Sequence, residues 1–225
     1  MDSQTIGETL PLALGIAISP ITIIAAILML LAPQARRTSP GFLLGWVLGI
    51  AAVTAVAAAL AGALPPHDSA SGPNVPRAIV QLVLALLFAV LAVRQWRGRP
   101  RPGTTPDLPA WMAAIDQMTF ARALGLGLIL SALNPKNLLI SASAGVIIGG
   151  GGLTLVEAGV STGIFVLCAA ATVWLPIVAF LIASDRMRGP LDTLHRWLVR
   201  ENHTIMTVLL MFLAVLMAGK GIASL

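Results

Sequence analysis

The sequence predicts an all-α integral membrane protein in which six transmembrane helices form two inverted three-helix repeats, with helices one and four broken at mid-membrane. Three observations lead there: an apolar composition, arginines concentrated in one set of connections, and a proline at matching depth in two spans. Hydrophobic residues make up 57% of the 225 and charged residues 10%, with a mean hydropathy of +0.92, outside the range of a soluble domain. Crossing about 30 Å of hydrocarbon as a helix takes roughly 20 residues. Six stretches are long enough: about Leu10–Leu31, Phe42–Leu64, Arg77–Val93, Ala121–Ile148, Leu155–Ala183 and Thr204–Ala223. They use over half of the chain, so residues 1–225 read as a single transmembrane domain, repeat one covering about 1–105 and repeat two about 106–225.

Span one is expected to remain in the mature protein. Its leader carries Asp2 and Glu8 and no basic residue, and its apolar run exceeds a signal-peptide core. The single cysteine, Cys168, lies within span five, which excludes a disulfide or a cysteine-based metal site within one chain and leaves it a packing role.

Charge sets the orientation. Arg36 and Arg37 follow span one; Arg94, Arg97, Arg99, Arg101 and Arg122 lie between spans three and four; Arg186, Arg188, Arg196 and Arg200 lie between five and six. The opposite connections carry Asp2, Glu8, His67, Asp68 and Glu157, with only Arg77 and Lys220 at span ends. The positive-inside rule then places both termini outside and the arginine-rich connections in the cytoplasm. The net charge of +5 is accordingly a topology signal. It does not mark a nucleic-acid surface, because no basic stripe interleaves with exposed aromatics.

Two of the cytoplasmic connections are more than loops. "DLPAWMAAIDQM" spaces Leu108, Trp111, Met112, Ile115 and Met118 near a helical period, and "GPLDTLHRWLVR" does so with Leu191, Leu194, Trp197 and Leu198. Each begins with a proline suited to a first turn, so both are expected to be amphipathic helices lying in the interface. On the other side, "LPPHDSASGPNVP" reads as a turn-rich link, with His67 solvated, and Gly149–Gly152 as a flexible one.

The repeat shows in spans one and four. "LGIAISPITIIAAILML" and "GLILSALNPKNLLISAS" align Pro20 with Pro135 and Ser19 with Asn134. In the spans that follow, Gly41, Gly45 and Gly49 match the spacing of Gly159 and Gly163, a pattern of close helix packing. Three spans per half is an odd number, which inverts the second half relative to the first.

Pro20 and Pro135 lie about 15–20 Å into their spans at 1.5 Å per residue, near the midplane. Proline disrupts a helix interior but suits the first position of a new helix, preceded by a serine or asparagine cap. Ser19–Pro20 and Asn134–Pro135 therefore read as the starts of half-helices, whose free N–H groups and positive dipole ends attract anions. Lys136 adds a full charge at that depth and is too short to snorkel from mid-membrane, so it must face a cavity or a partner. The plainer alternative is that the prolines kink the helices, the asparagines cap them, and Lys136 is neutral or bonds to carbonyls. Ser19, Pro20 and Thr22 at the first break, with Asn134, Pro135, Lys136 and Asn137 at the second, are the candidate substrate-binding residues. No Asp or Glu lies deep in a span, which argues against a cation or metal carrier. Nothing points to a catalytic group or a cofactor, so an enzyme is not expected.

At these residues the sequence resembles a known family. The length, the six spans, the two prolines and the "NPKN" signature resemble the lysine-exporter (LysE) superfamily, and "AISPITIIAAILML" with "ALNPKNLL" looks most like its GAP branch. That branch includes proteins implicated in moving glycopeptidolipid and sulfolipid to the mycobacterial surface. The likeness covers the whole chain in layout, while its specific motifs cover only about 25 residues, the family's first proline motif falling on Ser19 and Pro20 and its second on Asn134, Pro135, Lys136 and Asn137. It implies a bacterial inner-membrane transporter that moves an anionic or polar lipid-linked molecule of glycolipid type outward. Its implied partners are membrane lipids, the lipid-linked substrate, and lipid-synthesis enzymes or further copies of the chain. The sequence departs from amino-acid exporters of the superfamily: span one has no "PGP", and "GWVLGIAAVTA" in span two has no acidic residue. Two other readings stay open, an exporter of amino acids or another small solute and a non-transporting scaffold for lipid-synthesis enzymes.

Overall fold

The computed structural model describes residues 3–63, 75–98 and 118–224, and every element among them is a helix. Span one is α1 (Ser3–Ala17) and α2 (Pro20–Leu31), set at 57° to one another. Helices α3 (Ala35–Gly62) and α4 (Val75–Arg97) are each long and apolar enough to cross alone. Span four is α5 (Phe120–Leu128), prolonged by a π-helical turn at Ile129–Leu133, and α6 (Pro135–Gly149), bent by 67°. Then come α7 (Leu155–Ala169) and α8 (Ala171–Ala223). Large apolar side chains lie open on the outside, Leu60 at 68%, Leu155 at 90% and Ile182 at 81% exposed. Such a surface suits hydrocarbon and no aqueous solvent, so this is a multi-pass membrane protein.

Both expected breaks form where a proline can start a helix and cannot continue one. Ser19 is extended (φ −104°, ψ 100°) with Pro20 as the first helical residue, and Asn134 is extended (φ −68°, ψ 120°) ahead of Pro135. The two caps differ. Asn134 Oδ1 accepts from the Lys136 N–H at 3.1 Å, whereas the Ser19 hydroxyl makes no capping bond and accepts from Thr22 Oγ1 at 3.2 Å.

Close packing follows from the glycines of α3. A Cβ on Gly41 would stand 2.6 Å from the Phe120 carbonyl oxygen, and one on Gly45 would collide with the Leu124 carbonyl. From the other side, a Cβ on Gly145 would stand 2.5 Å from the Thr54 carbonyl oxygen. Helix α3 therefore lies backbone to backbone along α5 and α6, as small residues permit in lipid. Around this seam Phe42 stacks on Trp46 at 6.2 Å, and both are fully buried with Ile16, Ile27, Phe88 and Phe165. The matching glycines of the second half behave otherwise, since Gly159 and Gly163 have nothing within 4 Å.

Two expectations need correction. Span five, expected unbroken from Leu155 to Ala183, bends by 64° at Ala170. The connection between spans five and six is helical but is not a separate element, because the predicted segment from Gly189 continues into span six, within a helix that reaches Ala223. Within it Leu191 and Leu198 are buried while Leu194 at 41% and Trp197 at 47% are exposed, so its apolar residues divide between two faces. The segment "DLPAWMAAIDQM" lies outside the described residues except for Met118, which is buried, and the link containing His67 lies outside them as well.

Helix α8 nevertheless folds back. Thr172 bonds to Ala17, and Leu213 packs against Gly15, two positions at the same level of α1. A straight helix would hold Thr172 and Leu213 about 60 Å apart. The chain must therefore reverse between them, in the stretch that holds Gly189 and Pro190, where proline deletes a helical hydrogen bond. The returning part pairs antiparallel with α4: His203 Nδ1 lies 3.3 Å from Gln95 Nε2 at one end, and Ser224 Oγ donates to Gln81 Oε1 at 3.0 Å at the other.

These contacts define two ends of the molecule. Glu8, Lys220, Gln81 and Gly149 share one, tied by a Lys220–Glu8 ion pair at 2.7 Å. Arg36, Arg37, Arg94, Arg97, Arg122 and Arg200 share the other, where Gly41 meets Phe120 and Gly98 meets His203.

Candidate functional site

A helix end leaves its last carbonyls without partners, and in the middle of a membrane no water is at hand to satisfy them. Helix α1 ends at Ala17, and two side chains from elsewhere in the chain close it. Lys136 Nζ donates to the Gly15 carbonyl at 2.9 Å, and Thr172 Oγ1 donates to the Ala17 carbonyl at 2.6 Å. Lys136 is the second residue of α6 and Thr172 the second of α8. The breaks in spans one, four and five thus meet at one point.

The structure unites some of the candidate residues and separates others. Lys136 is 6% exposed and Asn137 fully buried, whereas Pro135 faces outward and Asn134 serves as the cap. Ser19 and Thr22, 1% and 2% exposed, bond to each other. Asn137 Nδ2 donates to the Leu130 carbonyl at 2.9 Å, across the π turn. That bond fixes the amide orientation, since a flip would set two oxygens against each other. Asn137 Oδ1 is therefore buried without a partner among the described residues.

An ammonium has three donors, and Lys136 spends one on Gly15 among the described residues. Among the described residues no carboxylate bonds to it: Glu8 is engaged with Lys220, and Glu157 sits in the capping box that starts α7. The junction thus combines a positive charge with spare donors, two helix starts, and one orphaned amide oxygen. Such a set can bind an anion, with a weaker provision for a donor beside it. It holds no metal-binding group, since no trio of His, Cys, Asp or Glu comes together among the described residues.

Thr172 went unnoticed in the sequence because neither a proline nor a capping residue precedes the break at Ala170. Its one local mark is Pro176, whose missing N–H deprives the Thr172 carbonyl of a helical partner. Thr172→Val, which keeps the shape and removes the donor, is expected to destabilise the protein by about 1–3 kcal/mol, the cost of a buried carbonyl left unpaired. Thermal unfolding in detergent measures it, and an unchanged midpoint would mean that the Ala17 carbonyl finds another donor.

Fold and junction together define a polytopic membrane protein whose bent helix pairs meet at one junction. The chain matches the family model of Sap, sulfolipid-1-addressing protein, over residues 9–223, and it belongs to that family. No curated protein and no solved structure matches it.

Proposed function

We infer that the protein moves an anionic or strongly polar lipid-linked molecule outward across the inner membrane, the head group passing Lys136 while the acyl chains stay in lipid. The observation that carries this reading is the buried Lys136 at the junction of the broken helices, with no carboxylate partner among the described residues, in a chain whose family is named for addressing a sulfolipid. In the arrangement described here the ammonium rests on the Gly15 carbonyl. An incoming sulfate, phosphate or carboxylate would take its remaining donors and draw it off, helped by the positive starts of α2 and α6. Counting each of the three bent pairs as one span allows up to six spans, and this reading arranges them as two inverted repeats of three. No catalytic step is invoked; the work is binding and reorientation.

The second reading, export of an amino acid, draws support from one atom. Asn137 Oδ1 could accept from a substrate ammonium while Lys136 holds its carboxylate. Purified protein in vesicles separates the two: a labelled anionic glycolipid should cross at a rate that depends on the protein, and labelled amino acids should not. Movement of amino acids without lipid would install the second reading. Movement of neither, with lipid delivery in cells intact, would favour a scaffold for lipid-synthesis enzymes.

The orientation has its own test. With the arginine end in the cytoplasm, a single cysteine at position 98 should resist an impermeant thiol reagent on intact cells and one at position 71 should react, both in a Cys168→Ala background. The opposite result would invert the topology.

A further inference from the structure

A shallow groove lies on α4, lined by Ala89, Val90, Val93, Arg94 and Arg97. Its floor is apolar, and its two cations stand one helical turn apart at the end where the arginines gather. Basic residues in a last helical turn are favoured by the helix dipole alone, so their presence proves little. Three further observations give the groove an occupant. Among the described residues neither arginine has an acidic partner. Trp96, between them in sequence, is 48% exposed, as a side chain at the head-group level should be. Below them an open apolar stripe, Ile79, Val83, Leu86, Val90 and Val93, each between 47% and 64% exposed, runs down the same helix at helical spacing.

We propose that this face binds one anionic phospholipid of the membrane, its phosphate between Arg94 and Arg97 and an acyl chain along Val93, Val90 and Leu86. The guanidinium fork matches a phosphate's oxygens, and the stripe matches a chain lying parallel to the helix. The site is separate from the Lys136 junction and stands whether or not that junction carries cargo. It ties the end of α4 to the bilayer beside the point where Gln95 meets His203 of α8.

Native mass spectrometry of the full chain in detergent, titrated with phosphatidylglycerol and with phosphatidylcholine, tests it. One phosphatidylglycerol should bind in preference. Arg94→Gln with Arg97→Gln should weaken that binding by about thirtyfold, since each arginine near an anionic head group is worth about a factor of five. The double lysine variant, which keeps the charge and loses the fork, should fall between them, and Arg36→Gln with Arg37→Gln at the same end should bind as the parent does. Equal binding of the two lipids, undiminished binding by the double glutamine variant, or an equal loss in the Arg36 and Arg37 control would each overturn the proposal.

Discussion

Replacing Lys136 by alanine is expected to lower outward delivery of the lipid-linked substrate by roughly thirtyfold or more, because losing one member of a desolvated charge pair costs about 2–5 kcal/mol. Protein level and lipid synthesis should hold, which measurement of both beside surface lipid will establish. The substitution also strips the Gly15 carbonyl of its donor, so a second variant must separate the two losses. Lys136→Gln keeps an N–H donor and removes the charge. If the ammonium serves only to cap α1, glutamine should recover delivery; if it binds an anion, glutamine should remain near the alanine level. Lys136→Arg should retain part of the activity, since charge persists while the geometry changes. Normal delivery by Lys136→Ala would end the anion-site account.

The largest structural effect is expected at the α3 seam. Gly45→Leu drives a side chain into the backbone of α5 at Leu124, where neither helix can yield without disturbing the contacts above and below. Overpacking of this kind costs about 1–3 kcal/mol and more when backbone must move, so loss of the folded protein, read by size exclusion and thermal unfolding, is the expected result. Gly159→Leu and Gly163→Leu, where nothing lies within 4 Å, should unfold near the parent midpoint. If Gly45→Leu and Gly159→Leu were equally harmless, the backbone contact between α3 and α5 would be wrong.

These two sites also show what the sequence could and could not disclose. Ser19–Pro20 and Asn134–Pro135 were legible because proline carries its own backbone rule: it suits a helix start and forbids a helix interior. The break at Ala170 has no such residue at its start, and it emerges only from how α7 and α8 pack. Glycine spacing suggested close packing in both halves. Whether a partner lies opposite is a tertiary fact, true for Gly45 and untrue for Gly163. Gly189–Pro190 looked like the start of an independent interfacial helix because proline favours a first turn, yet the helix that holds it runs on through span six to Ala223. Lys136 could be placed at mid-membrane by counting residues, but its partner is a backbone carbonyl, and a carbonyl leaves no trace in a sequence. Thr172 is hidden for the same reason.

The central claim is that Lys136 exchanges the Gly15 carbonyl for an anionic head group. A structure of the purified protein in lipid nanodiscs with an anionic glycolipid tests it most directly. The account predicts density for the anionic group within about 2.7–2.9 Å of Lys136 Nζ, the length of a charge-assisted hydrogen bond, with the acyl chains passing out between helices into the bilayer. A glycolipid bound elsewhere while Lys136 remains seated on Gly15 would contradict it.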